Sequence, residues 1–220
     1  MSRTTALSMS LRNALMMVIF TLAFTGLMAS VYQATKEPIA ASAEEEKMKL
    51  IGEVLPRGDY DNDLLKDYLD IGTPPELGLK DAGRVYRARK QGEPVAVLLE
   101  AVAPDGYSGN VGLILAVRRD GRVIAVRVTE QRETPGLGDY VDIHKDKKKD
   151  SPWITQFNEI GFAQVSQADW KLKKDGGRFA YHTGATISAR AVTNATRRAV
   201  QFFEANKEKL FNLPTGGNLK

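Results

Sequence analysis

Residues 13–35 contain no charged side chain and are dominated by Leu, Met, Val, Ile and Phe. As a helix, about 23 residues extend roughly 34 Å, slightly more than the hydrocarbon core of a bilayer, roughly 30 Å. The segment therefore predicts a retained transmembrane helix. A cleaved signal peptide is the alternative, because Ala29 and Ser30 would suit a cleavage site, although its apolar region would be shorter, roughly 7 to 15 residues.

The charges on either side of this segment differ in sign. Arg3 and Arg12 precede it, whereas Lys36 follows it and is soon outnumbered by glutamates at 37 and 44–46. Because positively charged flanks stay in the cytoplasm, residues 1–12 are predicted to be cytoplasmic and the bulk of the chain to lie outside. In a bacterium this describes a single-pass protein of the inner membrane with a periplasmic domain.

Composition excludes several kinds of chemistry. The chain has no cysteine, which removes disulfides, thiolate ligands and thiol nucleophiles. Its two histidines, His144 and His182, are not spaced as metal ligands, so no metal is predicted. The net charge of +4 comes from scattered Lys and Arg, which argues against nucleic acid as a partner. Redox chemistry in this chain would therefore depend on a bound cofactor.

The outer part is predicted to be an α+β domain on a stalk. Residues 36–56 form the stalk helix, with Pro38 in its first turn and Pro56 at its end. The domain, residues 57–212, contains an antiparallel meander and a final amphipathic helix, and a flexible tail follows; the segments are strands at 84–89, 95–103, 112–119 and 122–129, a helix at 188–210, and a tail at 213–220.

Two shorter segments of this domain carry specific expectations. Asp120-Gly121 lies between two strands and suits a type I′ hairpin, in which both central residues have positive φ. Residues 144–150 are a cluster of charges that predicts a solvated loop, with contact to a partner subunit as the alternative.

The segment Thr183-Gly184-Ala185-Thr186-Ile187-Ser188 stands directly before the final helix. Small residues let the backbone approach a ligand, and the unpaired N–H groups of a helix start attract phosphate. Arg190 in the first turn would add a charge-assisted hydrogen bond. The alternative is ordinary helix capping by Thr or Ser.

Two glycine-containing turns accompany this segment. Glu133-Thr134-Pro135-Gly136-Leu137-Gly138 predicts a rigid turn that holds an apolar side chain outwards, where it can face a flat ring. Gly106-Tyr107-Ser108-Gly109 places an aromatic ring and a hydroxyl at the head of a strand. Each of the two is also compatible with an ordinary tight turn.

These three segments, in this order behind one amino-terminal apolar helix, resemble the G subunits of the Rnf electron-transport complex. The resemblance covers nearly the whole chain and includes the segments 36–39 and 129–138. The C subunit of the sodium-translocating NADH:quinone oxidoreductase is a related flavoprotein, but Gly106-Tyr107-Ser108-Gly109 running directly into a strand is closer to the Rnf type.

The resemblance implies that FMN is esterified through its phosphate to Thr186 by a flavin transferase that uses FAD. We expect the other residues of the site to surround this attachment point (Thr183, Gly184, Ala185 and Ser188) or to contact the ribityl chain or ring (Tyr107, Ser108, Thr134 and Leu137). The chain departs from the family pattern at Ala180, where Asp is usual, and at Gln131, where His is frequent.

The expected function is that of an electron carrier within an ion-translocating, ferredoxin- and NAD-linked complex, with no substrate turnover by the subunit alone. A flavin-free, membrane-anchored scaffold or sensor domain is the alternative. An independent hydrolase is disfavoured, because the two histidines do not form part of a recognisable catalytic arrangement.

Overall fold

The computed structural model describes residues 3–219, and its first element is a long helix, α1 (Arg3–Val54). Within it, Met9–Ile39 is long and apolar enough to cross a membrane, with a mean hydropathy of 2.1 and exposed side chains. The predicted apolar helix is therefore present. It continues through Pro38 into the predicted stalk without a second start. The residues that follow, mainly Ala, Glu, Lys and Met, are strong helix formers and outweigh the loss at one proline.

The chain divides into two compact units, Met1–Met48 and Lys49–Lys220. The end of α1 belongs to the second unit, where Ile51 and Val54 are buried together with Leu55 just beyond the helix. The predicted stalk therefore ends inside the folded domain.

The second unit is built on a five-stranded antiparallel sheet in the order β1-β2-β3-β4-β5. This confirms the predicted meander. The strands are β1 (Tyr68–Gly72), β2 (Gly83–Lys90), β3 (Glu93–Gly106), β4 (Gly109–Arg118) and β5 (Val123–Glu130). β1 was not predicted, because only Leu69 and Ile71 of its five residues are buried and so short an alternation is a weak signal.

The final helix, α2 (Thr186–Asn212), packs its apolar face on the sheet and supplies much of the core. It begins two residues before the predicted start at Ser188, so Thr186 is its first residue. Between β5 and α2 the chain forms short 3₁₀ turns around a cluster of aromatic side chains. Trp153 and Phe157 are buried in one of these turns.

The hairpin between β4 and β5 differs from the prediction. Of its two central residues only Gly121 has positive φ, 89°, whereas a type I′ turn also needs positive φ at Asp120. The Gly121 N–H donates to the Arg118 carbonyl (2.8 Å), and the Arg118 N–H donates to the Arg122 carbonyl (2.8 Å). This pattern is typical of a three-residue loop with a type I turn and a glycine bulge, which needs only one left-handed residue.

The carboxyl-terminal segment is not the flexible tail that was predicted. Gly216 and Leu219 donate their N–H groups to the carbonyls of Tyr68 and Asp70 (2.8 Å each), and Leu219 is only 8% exposed. Because β1 is an edge strand, its outer backbone groups are unpaired within the sheet and accept this segment.

A buried guanidinium joins this segment to the sheet. Arg87 on β2 is fully buried, pairs with Asp67 and donates to the carbonyl of Leu213 and the hydroxyl of Thr215 (3.0 Å). Arg89 pairs with the second oxygen of Asp67 at 2.6 Å. The Asp67 carboxylate therefore links two arginines of β2 to the start of the carboxyl-terminal segment.

This network predicts a loss of stability in acid. Burial disfavours the ionised form of Asp67, but hydrogen bonds from Arg89, Arg87 and Thr215 outweigh burial and hold its pKa below the ordinary value. A lowered pKa in the folded state means that the stabilisation is present above about pH 4 and is lost as the pH falls through the folded pKa. We expect the free energy of unfolding of the native chain to exceed that of Asp67→Asn at pH 7, and the difference to shrink below about pH 4. Urea unfolding followed by tryptophan fluorescence measures it; a difference independent of pH would contradict this account.

Candidate functional site

The start of α2 has backbone donors that no side chain caps. Ala185 is the residue before the first helical position, with φ −130° and ψ 41°, and makes no side-chain capping bond. Thr186 is half-buried, and its hydroxyl has no hydrogen-bond partner among residues 3–219. Because the first N–H groups of a helix lack intrahelical acceptors, this end of α2 is suited to an anionic group.

A tight turn leads into this helix start. The Ala185 N–H donates to the His182 carbonyl (3.1 Å), and Gly184 has φ 91° at the third position of the turn, as in a type II turn. A Cβ on Gly184 would meet no atom within 4 Å, so the glycine is required by its backbone conformation and not by crowding.

Tyr140 makes hydrogen bonds to both ends of the turn at residues 182–185. Its hydroxyl donates to the Ala185 carbonyl (3.3 Å) and accepts the His182 N–H (3.1 Å). Its ring stacks on that of His182, with centroids 3.9 Å apart, and meets Trp153 edge-on. Burial raises the pKa of the Tyr140 hydroxyl, although the N–H of His182 opposes this shift. The hydroxyl therefore stays protonated near neutral pH and can donate.

We expect Tyr140→Phe to lower the free energy of unfolding by about 1 to 3 kcal/mol, because a part-buried N–H and a buried carbonyl lose their partner. The looser turn should also lower any ligand loading at the start of α2. Tyr181→Phe is the control, since the hydroxyl of this half-buried tyrosine has no partner among the described residues and its loss should cost less than about 0.5 kcal/mol. Urea unfolding followed by tryptophan fluorescence compares them; equal effects would contradict the role of Tyr140.

The turn after β5 has the geometry that its residues predict. Pro135 and Gly136 occupy its central positions, Gly136 has φ 74°, and the Leu137 N–H donates to the Thr134 carbonyl (3.1 Å). Asp139 accepts the Gly136 N–H (2.8 Å) and closes the turn from the other side. This is a type II pattern, and it leaves the Leu137 side chain 55% exposed.

The third segment is a two-residue hairpin turn. Gly106 pairs with Gly109 across the ends of β3 and β4, so Tyr107 and Ser108 form its tip. The Ser108 N–H donates to the Glu133 carboxylate (3.1 Å), and the Ser188 hydroxyl donates to the other oxygen of the same carboxylate. Glu133 therefore connects the hairpin tip, the turn after β5 and the first turn of α2.

These three segments surround one surface cavity of about 260 Å³. Six of the predicted site residues line it: Tyr107, Thr134, Leu137, Gly184, Ala185 and Ser188. Thr183, Thr186 and Ser108 do not line the cavity itself. Thr186 nevertheless lies between two lining residues, Ala185 and Ile187.

The large apolar side chains that the described part of the domain exposes lie at this cavity. Among the described residues 49–219, the large apolar side chains that are exposed are Tyr107 (67%), Leu137 (55%) and Ile187 (46%). All three line the cavity. Apolar groups concentrated around a cavity with a few polar atoms are typical of a ligand site.

Sequence reasoning missed part of the site and misassigned one residue. Glu133, Gly138 and Ile187 line the cavity but were not among the candidates, although Glu133 opens the Thr134–Gly138 turn and could have been suspected for that reason. Arg190 was expected to contact a phosphate, but its guanidinium instead makes a bidentate pair with Asp175 (2.8 Å for both contacts). This carboxylate lies in a separate loop, so local sequence could not reveal the pair.

The chain matches two families along its length. Residues 106–201 match the family described as FMN-binding domain, and residues 1–54 match the family described as RnfG N-terminal region. The first range contains the whole cavity.

Curated relatives are similar over almost their full lengths. A Pseudomonas aeruginosa protein, named as the G subunit of an ion-translocating oxidoreductase complex, is 42% identical, covering 91% of each chain. Proteins of the same name from Escherichia coli O157:H7 and Pseudoalteromonas atlantica are 41% and 38% identical, covering 94% and 91% of this chain and 97% and 91% of theirs. The chain therefore belongs to the family of G subunits of ion-translocating oxidoreductase complexes.

Proposed function

We propose that this chain carries FMN joined by a phosphoester to Thr186 and relays electrons within a membrane-bound, ion-translocating complex of the Rnf type. The observation that carries the proposal is the cavity in which the three segments meet beside the uncapped start of α2. The start of α2 offers backbone donors for a phosphate, and the cavity offers apolar side chains for a ring.

The residues of the site fit this cofactor. The Thr186 hydroxyl is unengaged within the described chain and stands at the first position of the helix, next to the free N–H groups. Gly184 and Ala185 bring no bulky side chain to the attachment point, and Tyr107, Leu137 and Ile187 supply apolar surface for a flat ring. The bound flavin would supply reversible one- and two-electron transfer, which no side chain of this cysteine-free chain provides.

The attachment step is a group transfer that a dedicated flavin transferase would carry out with FAD. The Thr186 oxygen forms a bond to the phosphorus that bears the riboflavin part, the pyrophosphate bond of FAD breaks, AMP leaves, and the hydroxyl proton is released. No oxidant or reductant is needed. A covalent link prevents loss of the cofactor from an exposed domain.

The size of the cavity supports a relay and not an enclosed active site. At about 260 Å³ it is smaller than the roughly 300–1,000 Å³ that enclose a drug-sized ligand, so part of the flavin would stay accessible at the surface. Such access suits electron exchange with neighbouring redox centres of a ferredoxin- and NAD-linked complex. We infer no substrate turnover by this chain alone.

The charges flanking α1 favour a cytoplasmic amino terminus and a periplasmic domain at the inner membrane. Protease added to intact spheroplasts should digest the domain, whereas a domain protected until the membrane is broken would refute this orientation.

The decisive experiment is intact-mass analysis of the full chain produced with and without a flavin transferase. We expect a mass increase of one FMN residue only with the transferase, located on the peptide that contains Thr186. A colourless, unmodified chain from native membranes would overturn the proposal and leave an anchored scaffold or sensor domain as the remaining function.

A further inference from the structure

Glu133 is a buried carboxyl group in the wall of the cavity. It is 4% exposed, and its two oxygens accept hydrogen bonds from different parts of the chain, the Ser108 N–H (3.1 Å) and the Ser188 hydroxyl. Its own backbone N–H donates to the Gln131 side-chain oxygen (2.7 Å). The carboxyl group is therefore held at a fixed place on the cavity wall.

Two glycines border this carboxyl group. A Cβ on Gly106 would lie closest to the Gly109 carbonyl oxygen and 2.8 Å from Oε1 of Glu133, and a Cβ on Gly138 would lie 2.5 Å from the Ser188 hydroxyl and 2.8 Å from Oε2. Real Cβ atoms essentially never approach so closely. The glycines of two turns thus leave room for the acidic group together with the hydroxyl and the backbone beside it.

Glu133 has no cationic partner among the side chains that the structure describes. Both of its donors, a backbone N–H and a hydroxyl, are neutral, and it forms no ion pair there. Burying a carboxylate without a cation costs free energy of folding. An apolar or amide side chain at this position would cost less.

We propose that Glu133 sets the reduction potential of the flavin in this cavity by placing an uncompensated negative charge on its wall. This inference rests on the proposed function. Reduction adds negative charge to a flavin, so a fixed carboxylate nearby disfavours the reduced form and lowers the potential. Ser108 and Ser188 act as positioning residues, because they hold the carboxylate in place and partly satisfy it.

Glu133→Gln tests the charge with little change of shape. Glutamine can accept the Ser108 N–H with Oε1 and donate to the Ser188 hydroxyl with Nε2, so both contacts can persist. In the flavin-loaded full chain in detergent, a spectroelectrochemical titration at one pH should give a more positive potential. We expect the equilibrium constant for two-electron reduction to rise about tenfold, which corresponds to about 30 mV.

The matched control is Glu204→Gln. Glu204 is an exposed glutamate on α2, the helix that also carries Ser188. It lies 16 positions after Ser188 and so about 24 Å further along α2. This variant removes the same charge far from the cavity, and its potential should equal that of the native chain. A shift in Glu133→Gln of less than about twofold, or an equal shift in both variants, would overturn the inference.

Ser188→Ala keeps the inference testable if Glu133→Gln does not take up flavin. This variant leaves the carboxylate in place with one donor fewer, so its negative charge is less satisfied. The flavin potential should become more negative, and the equilibrium constant for two-electron reduction should fall severalfold. An unchanged or more positive potential would overturn the inference. If the native chain binds flavin but the potential does not respond to these substitutions, only this inference is wrong. If the native protein carries no flavin, the proposed function itself is wrong.

Discussion

Thr186→Val is expected to abolish covalent flavin completely. Valine has nearly the same shape as threonine but no hydroxyl, so no phosphoester can form at the first position of α2. After co-production with the flavin transferase, the native chain should fluoresce under ultraviolet light on a denaturing gel, and the variant band should be dark. Thr186→Ser should keep some fluorescence, because serine offers the same nucleophile.

The control is Thr193→Val, a substitution of the same type on the same helix. The Thr193 hydroxyl is buried and has no hydrogen-bond partner among the described residues, so its removal should leave flavin attachment unchanged. It should also maintain or raise the free energy of unfolding, by as much as about 1 kcal/mol, since an unpaired polar group is removed from the core. Fluorescence that persists in Thr186→Val would exclude this threonine as the attachment point.

Arg87→Met is expected to cause the largest loss of stability, about 3 to 5 kcal/mol. The substitution removes one of the donors to the Asp67 carboxylate and leaves the buried Leu213 carbonyl without the guanidinium that donates to it. Asp67 keeps Arg89 and Thr215 as partners, so the loss should fall short of complete unfolding in the absence of denaturant. Urea unfolding followed by fluorescence reports on this domain, because Trp153 and Trp170 are the only tryptophans in the chain.

Arg84→Met provides the comparison on the same strand. Arg84 pairs with Asp70 at 3.1 Å, but its side chain is 51% exposed, and exposed ion pairs contribute only about 0–1 kcal/mol. If the two variants lose the same stability, burial is not what makes Arg87 important, and the assignment of the network as the anchor of the carboxyl-terminal segment fails.

Local chemistry accounts for the features that were predicted correctly. The apolar helix follows from a run of uncharged residues, and the helix α2 from apolar residues at helical spacing. The turn at Thr134–Leu137 follows from Pro135 and Gly136, whose preferred backbone angles define a type II turn without help from distant residues. Each of these depends on interactions within a few positions of the chain.

Two of the features that were predicted wrongly depend on distant partners. The carboxyl-terminal segment looks polar and glycine-rich, yet it pairs with β1, an edge strand almost 150 positions earlier. Arg190 stands where a phosphate contact is plausible, but Asp175 from another loop occupies its guanidinium. Backbone groups on an edge and charges on a surface are satisfied by whatever the fold brings near, which residue type alone does not specify.

Residue types and their spacing are enough to predict the apolar helix, the antiparallel meander, the final helix and three glycine-bearing segments suited to phosphate and ring. That these segments share one cavity, and that Glu133 joins them, is visible only in the folded chain. Turn geometry is encoded by neighbouring residues, whereas the place of a buried carboxyl group depends on donors about 25 and 55 positions away in the chain.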